Sequence, residues 1–533
     1  MKPPGADRAI AMPGNTLPHI GQVLSLNARV FPDKVGARDL SRSLTFAQWN
    51  TRASRLANAL LGLGLRKGDR VAVLAYNCVE WLEIYAAVAK AGLIAVPINF
   101  RLVASEIRYI AQNCDARAFI VQDELVARAE EVRGDLAIAD THYVMFGRER
   151  PAAGYRSYED LLAAARDGEP DVPTAPDDPW TLMYTSGTTG NPKGAIRSHR
   201  ASAQLSLSTD VEMGFGRNDT ALLVMPMCHA NSLYFFNAFA YCGASCFVYS
   251  MRSFDPEHLL RTLTDSGATF TSLVPTHYIM MLGLPAATRA RHSGERMRKL
   301  LVSSAPARRD TKLAILEHFR NSGLFELYGS TEAGWVTMLH PDEQMTRLGS
   351  VGRECAGSAP IRILDPDGRP VADGEVGELY SRTPYTFDGY WKMPDKTAEA
   401  FRDGFCTVGD MARRDPDGYY FLVDRKSNMI ISGGENVYPS EVENLLGANA
   451  KVKEVAVIGL PDATWGERVH AVVVLHAGCE ASENEIVDWC RDRIAGYKRP
   501  RSVTFIAEDE MPRTATGKIL HRTLRTQFGE GKS

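Results

Sequence analysis

Apolar and polar positions alternate at helical spacing through Trp49–Leu61, and the pattern then changes abruptly. Arg70-Val71-Ala72-Val73-Leu74-Ala75 is a short apolar run of β-branched and small residues, which predicts a strand buried on both faces. A helical stretch, Trp81–Ala91, follows, and after it comes the apolar Leu93-Ile94-Ala95-Val96-Pro97-Ile98. Helix and strand alternate again up to Ala118-Phe119-Ile120-Val121. That order predicts α/β layering around a parallel sheet.

From Gly349 the texture becomes short segments between turn signals: Asp365-Pro366-Asp367-Gly368, Asp373-Gly374, Asp403-Gly404 and Asp415-Pro416-Asp417-Gly418. These predict a β-rich subdomain. Beyond Asp424-Arg425-Lys426-Ser427 lies a tail of about 105 residues, long enough to be a domain. Its pattern predicts helices at Ser440–Leu446 and Glu483–Ile494, and strands at Val455–Ile458 and Ala471–Val474. The stretch up to Pro18, rich in Pro and Gly, is expected to be an extended tail.

Length and composition narrow the class. At roughly 150 residues per domain, 533 residues make three or four compact units and exclude one small binding module. With 45% hydrophobic and 23% charged residues and a net charge of -3, the chain is globular, and no net positive charge marks it for nucleic acid. Nine cysteines, an odd number without a CxxC pair, read as reduced thiols of a cytoplasmic protein. The segment Ala221–Ser250 carries no Asp, Glu, Lys or Arg, yet Pro226, His229, Asn231, Ser232 and Asn237 interrupt it. An interior segment is expected there rather than a membrane span; peripheral membrane association stays open, as does a dimer.

The candidate chemistry begins at Tyr184-Thr185-Ser186-Gly187-Thr188-Thr189-Gly190-Asn191-Pro192-Lys193-Gly194. A strand-like run delivers the chain into small and hydroxyl residues, whose backbone N–H groups can converge on phosphate oxygens while Lys193 adds a positive charge. This is not the GxxxxGK[ST] loop, because Gly194 follows Lys193. Further along stand Leu327-Tyr328-Gly329-Ser330-Thr331-Glu332-Ala333-Gly334, Thr407-Val408-Gly409-Asp410, Asp424-Arg425, Ser432-Gly433-Gly434-Glu435-Asn436 and Pro512-Arg513-Thr514-Ala515-Thr516-Gly517-Lys518.

In this set and order, the sequence resembles the adenylate-forming acyl-CoA synthetases and their relatives, the luciferases and the nonribosomal adenylation domains. The resemblance covers essentially the whole chain and implies two domains: a large N-terminal α/β AMP-binding domain, 1–425, with parallel sheets and the β-rich subdomain, and a small mobile α+β lid, 426–533. It implies that Thr185, Ser186, Gly187, Thr188, Thr189, Gly190 and Lys193 hold the phosphates of ATP. Thr331 would reach the α-phosphate, and Glu332 with Thr185 the Mg2+ that accompanies it; an acid beside polyphosphate is repulsive unless a cation intervenes. Tyr328 and Gly329 would flank the adenine, with Ser304 and Ala305 close by, where relatives carry one or two glycines in place of Ser303 and Ser304. Asp410 would accept from the ribose hydroxyls and Arg425 donate to the same sugar. Alone, either residue reads as a surface charge.

Lys518 is, by the same resemblance, the cation that bridges the attacking carboxylate and the α-phosphate. The reaction implied has two halves: acyl-adenylate formation with loss of pyrophosphate, then attack by the thiol of coenzyme A. Relatives rotate the lid between the halves about a hinge two residues past the arginine, here Ser427 in place of the usual Asp or Lys. The rotation brings the segment of Gly433 and Gly434 to the pantetheine, although a plain tight turn is the other reading of these glycines. Arg491, Arg493, Lys498, Arg499 and Arg501 could meet the 3′-phosphate of coenzyme A, and most of this cluster reads as a solvated face.

His229, in Met225-Pro226-Met227-Cys228-His229, matches the residue that gates the acyl pocket in relatives; a core histidine is the alternative. Tyr234, Phe235, Val274–His277 and Trp335–Thr337 are candidates for the pocket wall, with no Arg or Lys among them, which favours a monocarboxylic acid. The sequence leans weakly to a fatty acid and keeps an aryl or hydroxycinnamic acid open. Three further readings also stand: loading of a carrier protein in trans, a silent nucleotide-binding relative, and a luciferase-like oxygenase. The intact set Lys193, Thr331, Glu332, Asp410, Arg425 and Lys518 argues against silence.

Overall fold

The computed structural model describes residues 17–185, 191–303, 307–514 and 517–529. The backbone divides into two compact units. The first comprises Met1–Tyr184, Gly194–Leu223 and Met227–Arg252; the second comprises Thr185–Lys193, Val224–Pro226 and Ser253–Ser533.

In the first unit the expected parallel sheet is present, with Arg156–Ser157, Tyr143–Phe146, Ala116–Gln122, Arg70–Leu74 and Ile94–Ile98 side by side in that order. Arg70–Leu74 pairs in parallel with both Ile94–Ile98 and Ala116–Gln122. Val71, Ala72, Val73 and Leu74 are all fully buried, which is why the run lacks period-two alternation. The helix predicted around Trp49 spans Phe46–Gly62; Thr45 caps it, its hydroxyl accepting from Gln48 N while its own N–H donates to Gln48 Oε1. The uncharged run is interior, as expected. Thr220–Leu223 and Ser245–Val248 pair in parallel, and the helix Ala230–Tyr241 makes the crossover between them. Among the described residues no helix is long and apolar enough to cross a membrane.

The second unit contains a sheet segment with the order Arg353–Glu354, Gly334–Leu339, Gly323–Ser330, Lys299–Ser303 and Phe270–Leu273. The turn-rich stretch is β-rich, as its signals predict. It forms a four-stranded antiparallel sheet of Arg362–Leu364, Gly377–Tyr380, Asp410–Arg414 and Tyr420–Arg425. Its last two strands are joined at Asp415–Gly418, where Asp415 Oδ1 accepts from Asp417 N and Tyr419 N and closes the turn.

The C-terminal stretch of this unit has its own sheet, in which Gly466–Leu475 pairs antiparallel with Val452–Asp462 and parallel with Ser502–Phe505. Val442, Leu446, Val457, Val469, Val473 and Ile486 form a core beneath it. One predicted element is shorter than expected: the helix from Glu483 ends at Trp489 instead of Ile494. Cys490 caps it, Asp492 takes a left-handed φ of 60° that a helix cannot contain, and Arg493 folds back over the Trp489 ring. The tail before residue 17 lies outside the described residues.

Candidate active site

Two antiparallel strands build the first half of the site. Asp410, which opens the strand Asp410–Arg414, faces Arg425, which ends Tyr420–Arg425, in direct cross-strand register. The pair is joined by Arg425 Nε and Asp410 Oδ1 at 3.0 Å. The other carboxylate oxygen, Oδ2, accepts from the Tyr328 hydroxyl at 2.6 Å. Each oxygen keeps a second lone pair, so the carboxylate can still accept from a diol. Burial, with the neighbouring Asp410 charge, pushes the Tyr328 phenol well above its ordinary pKa, so it remains a donor. Asp410, with burial opposing it, raises the Arg425 guanidinium further.

Tyr328 comes from the strand Gly323–Ser330, whose pairing with Gly334–Leu339 shifts register between Tyr328 and Gly329. A Cβ on Gly329 would lie 2.3 Å from Gly334 O, so the close return of the chain requires glycine there. Ser330 Oγ accepts from Ala333 N, which pins the loop carrying Thr331 and Glu332.

Glu332 is buried and accepts at Oε1 from Tyr390 Oη at 2.9 Å and Thr185 Oγ1 at 3.2 Å. Lys193 Nζ stands 4.1 Å from the centroid of the Tyr390 ring. Burial lowers the Lys193 pKa, and Glu332 partly offsets that. The two ends of the phosphate-loop candidate, Thr185 and Lys193, therefore converge on one carboxylate–tyrosine pair. Ser186, Gly187, Thr188, Thr189 and Gly190, with Ser304 and Ala305, lie outside the described residues.

Lys518 sits in a tight loop in which Thr514 N donates to Lys518 O at 2.7 Å and Lys518 N to Thr514 Oγ1 at 3.1 Å. Its side chain is open to solvent yet surrounded by protein, and its pKa is lowered by desolvation and by Arg425 and raised in part by Asp410. The ammonium thus lies in the field of the Asp410–Arg425 pair, far away in sequence. Gly433 has φ 63°, and a Cβ there would strike the Trp465 ring at 2.8 Å; Gly434 has φ 86° and open space around it. Between these parts, the Asp424 carboxylate accepts from Arg425 N, Asn428 Nδ2 and Ser440 N, spanning the Ser427 position.

His229 belongs to the first unit, where it occupies the N-cap of Ala230–Tyr241 with Nε2 3.5 Å from Asn99 Nδ2. Tyr234 and Phe235 on that helix are buried. Arg197, fully buried, lies 5.1 Å from the Tyr234 ring centroid. No local pattern announces this contact, because Arg197 stands on a separate strand, Lys193–Ser198. Sequence reading missed Tyr390, whose one signal was an aromatic pair, Tyr390-Trp391, closing a turn-rich segment. Of the basic tail residues, Arg491 pairs with Asp488, Lys498 with Glu441, and Arg501 lies over Trp465.

Thr185 and Lys193 beside the Glu332–Tyr390 pair, the Tyr328–Asp410–Arg425 triad and a lysine in the field of that triad are groups that could bind a nucleotide. Residues 24–391 match the AMP-binding enzyme family, and residues 441–518 match the C-terminal domain of AMP-binding enzymes. The chain is 38% identical to a feruloyl-CoA synthase of Amycolatopsis sp over 94% of this chain and 97% of that one. It is 34% identical to a long-chain-fatty-acid–CoA ligase of Mycobacterium tuberculosis over 96% of this chain and 98% of that one. Among solved structures, an anthranilate–CoA ligase in complex with anthranoyl-AMP superposes with a TM-score of 0.86 at 29% identity, covering 96% of this chain and 97% of that chain.

The chain belongs to the family of AMP-binding enzymes. Within that family it is an AMP-forming acid–thiol ligase.

Proposed function

We propose that this chain activates an aryl or arylacrylic monocarboxylic acid as its acyl-adenylate and passes the acyl group to coenzyme A. The observation that carries the reading is the 38% identity to a feruloyl-CoA synthase over nearly the whole chain. A fatty acid is the second reading, favoured by the likeness to the fatty-acid–CoA ligase.

The parts divide the work as follows. Asp410 and Arg425 bind the ribose, and Tyr328, tethered by its hydroxyl, presents its ring to the adenine. Thr185, Lys193 and the loop between them bind the phosphates, and Thr331 donates to the α-phosphate. Among the described residues no cluster of three or more His, Cys, Asp or Glu could hold a metal by itself. A Mg2+ ion takes only one or two protein carboxylates plus substrate phosphates, and the buried Glu332 beside the Thr185 hydroxyl fits that hard oxygen donor set. When bound there, it would neutralise phosphate charge.

Lys518 stabilises the negative charge that builds up as the carboxylate oxygen attacks the α-phosphorus and pyrophosphate leaves. Residues 426–533 act as a lid, and after the first half the lid turns about Ser427, withdrawing Lys518 and bringing Gly433 and Gly434 to the pantetheine. His229 orients the carboxylate at the acyl pocket, in a cytoplasmic enzyme. A panel of ferulic, benzoic, indoleacetic and fatty acids with ATP, Mg2+ and coenzyme A, read as pyrophosphate and as acyl-CoA by mass, tests the reading. Thioester from the aryl acids supports it; thioester from fatty acids alone replaces it with the second reading, and pyrophosphate without thioester points to a carrier protein.

A further inference from the structure

Tyr390 meets both Glu332 and Lys193, and its placement is fixed from several sides. Its backbone N donates to Thr397 Oγ1 at 2.8 Å, and its ring packs edge-on against Phe387, centroids 4.9 Å apart. Phe387 N in turn donates to the backbone carbonyl of Glu332 at 2.7 Å. The short segment Phe387–Tyr390 therefore grips Glu332 twice, once by its main chain and once by its carboxylate. The phenol bond and the Thr185 bond fall on the same oxygen, Oε1, so together they set the plane and aim of the carboxylate. On its other side the ring face carries Lys193 Nζ at 4.1 Å. A cation over a buried ring is attracted by the ring's negative face, and a phenol bonded to a carboxylate is a charge-assisted contact. One side chain thus separates and orients the anion and the cation of the site.

We propose that Tyr390 is a positioning residue for adenylation: its hydroxyl orients Glu332 toward the metal, and its ring holds Lys193 toward the phosphates. This rests on the roles of Glu332 and Lys193 proposed above. The two functions reside in different parts of the side chain, so two substitutions separate them. Tyr390→Phe keeps the ring and removes the hydroxyl; Tyr390→Leu removes both.

The test is ATP binding by calorimetry, without Mg2+ and across a Mg2+ titration, alongside pyrophosphate release. Circular dichroism melting confirms that each variant is folded. For Tyr390→Phe we expect ATP affinity without Mg2+ to stay within about twofold of the parent. The Mg2+ concentration needed for tight ATP binding should rise about tenfold, the value of one bond to a charged group. Tyr390→Leu should add a loss of about three- to tenfold in Mg2+-free ATP affinity, the value of a partly buried cation–ring contact.

Identical behaviour of the two variants would overturn the ring's role, and an unchanged Mg2+ requirement in Tyr390→Phe would overturn the hydroxyl's. Glu332→Gln separates these failures from failure of the underlying reading. If it raises the Mg2+ requirement while Tyr390→Phe does not, the Tyr390 proposal alone falls. If Glu332→Gln leaves the requirement unchanged, the metal role of Glu332 falls and the hydroxyl arm with it, while Mg2+-free binding still decides the ring arm.

Discussion

The Tyr328 hydroxyl donates to Asp410 Oδ2 at 2.6 Å, while Arg425 holds the opposite oxygen of the same carboxylate at 3.0 Å. Two strands of one antiparallel sheet and a strand of another are thereby tied at one anion. The carboxylate cannot rotate without breaking one of these bonds, so its remaining lone pairs keep a fixed direction.

Removing that anion has a specific expected cost. Asp410→Ala should raise the KM for ATP by about 10- to 100-fold, the range for losing bonds to a charged acceptor, with a smaller change in kcat. Tyr328→Phe should raise KM by only a few fold, because the Arg425 contact still orients Asp410. Steady-state rates at varied ATP decide the matter, and an unchanged KM in Asp410→Ala removes this residue from the ribose site.

Lys518→Ala should lower adenylation by about 10²–10³-fold, as for one fixed donor to developing charge, and spare thioester formation from supplied acyl-adenylate. Its pH profile carries a second signature. Desolvation and Arg425 hold the ammonium below the ordinary lysine range, so the cation is lost at a lower pH than a solvated lysine would lose it. Adenylation should therefore fall on the alkaline side earlier than expected for lysine, and Lys518→Arg should flatten that limb. Equal loss of both half-reactions in Lys518→Ala would refute the assignment.

Much of this was legible in the chain because the groups concerned sit in contiguous, strongly patterned segments. Arg70–Leu74 reads as a buried strand from five residues, and Asp415–Gly418 as a turn from four. What escaped depends on contacts between segments far apart. Tyr390 meets Glu332 from 58 positions away, and Arg197 reaches Tyr234 by a strand-to-helix contact that no local pattern encodes. The early end of the helix at Trp489 was hidden for a different reason. Apolar spacing continues to Ile494, but Asp492 adopts a left-handed backbone that propensity does not announce.

In the first unit, His19 and His199 lie with ring centroids 4.8 Å apart, both buried. Burial, with Lys90 for His19, lowers that group to about 4; burial, with His19 itself, lowers His199 to about 3. Glu169 and Asp178 oppose the shift at His19, while at His199 Asp178 opposes it and Lys67 adds to it. Because both folded values lie below the unfolded one, the unfolded chain binds more protons once pH falls below about 6.5. Stability should be full above that pH and drain as pH drops toward 3. Urea unfolding at pH 7, 5.5 and 4.5 measures it, and His199→Asn should lose less stability over that range than the parent.

The opposite sign is expected at His521. Its Nε2 lies 2.6 Å from Glu443 Oε1, and Glu443 also accepts from Val457 N at 2.8 Å, so the ion pair fastens the helix His521–Gly529 to the C-terminal sheet. Burial disfavours the imidazolium, but Glu443 and, more weakly, Asp424 outweigh it, and the folded pKa is raised. The stabilisation is therefore complete below the unfolded value of about 6.5 and is lost as pH rises through the folded value. A half-buried charge-assisted bond of this kind contributes about 1–2 kcal/mol. Thermal unfolding of the parent should fall more steeply between pH 6 and 9 than that of His521→Gln, and parallel curves would show that the pair contributes nothing. Lys518 precedes this helix by three residues, so adenylation should weaken over the same pH interval in the parent, before any alkaline loss from Lys518 itself. In His521→Gln that shallower limb should be absent while the Lys518 limb remains, which separates fastening of the helix from titration of Lys518.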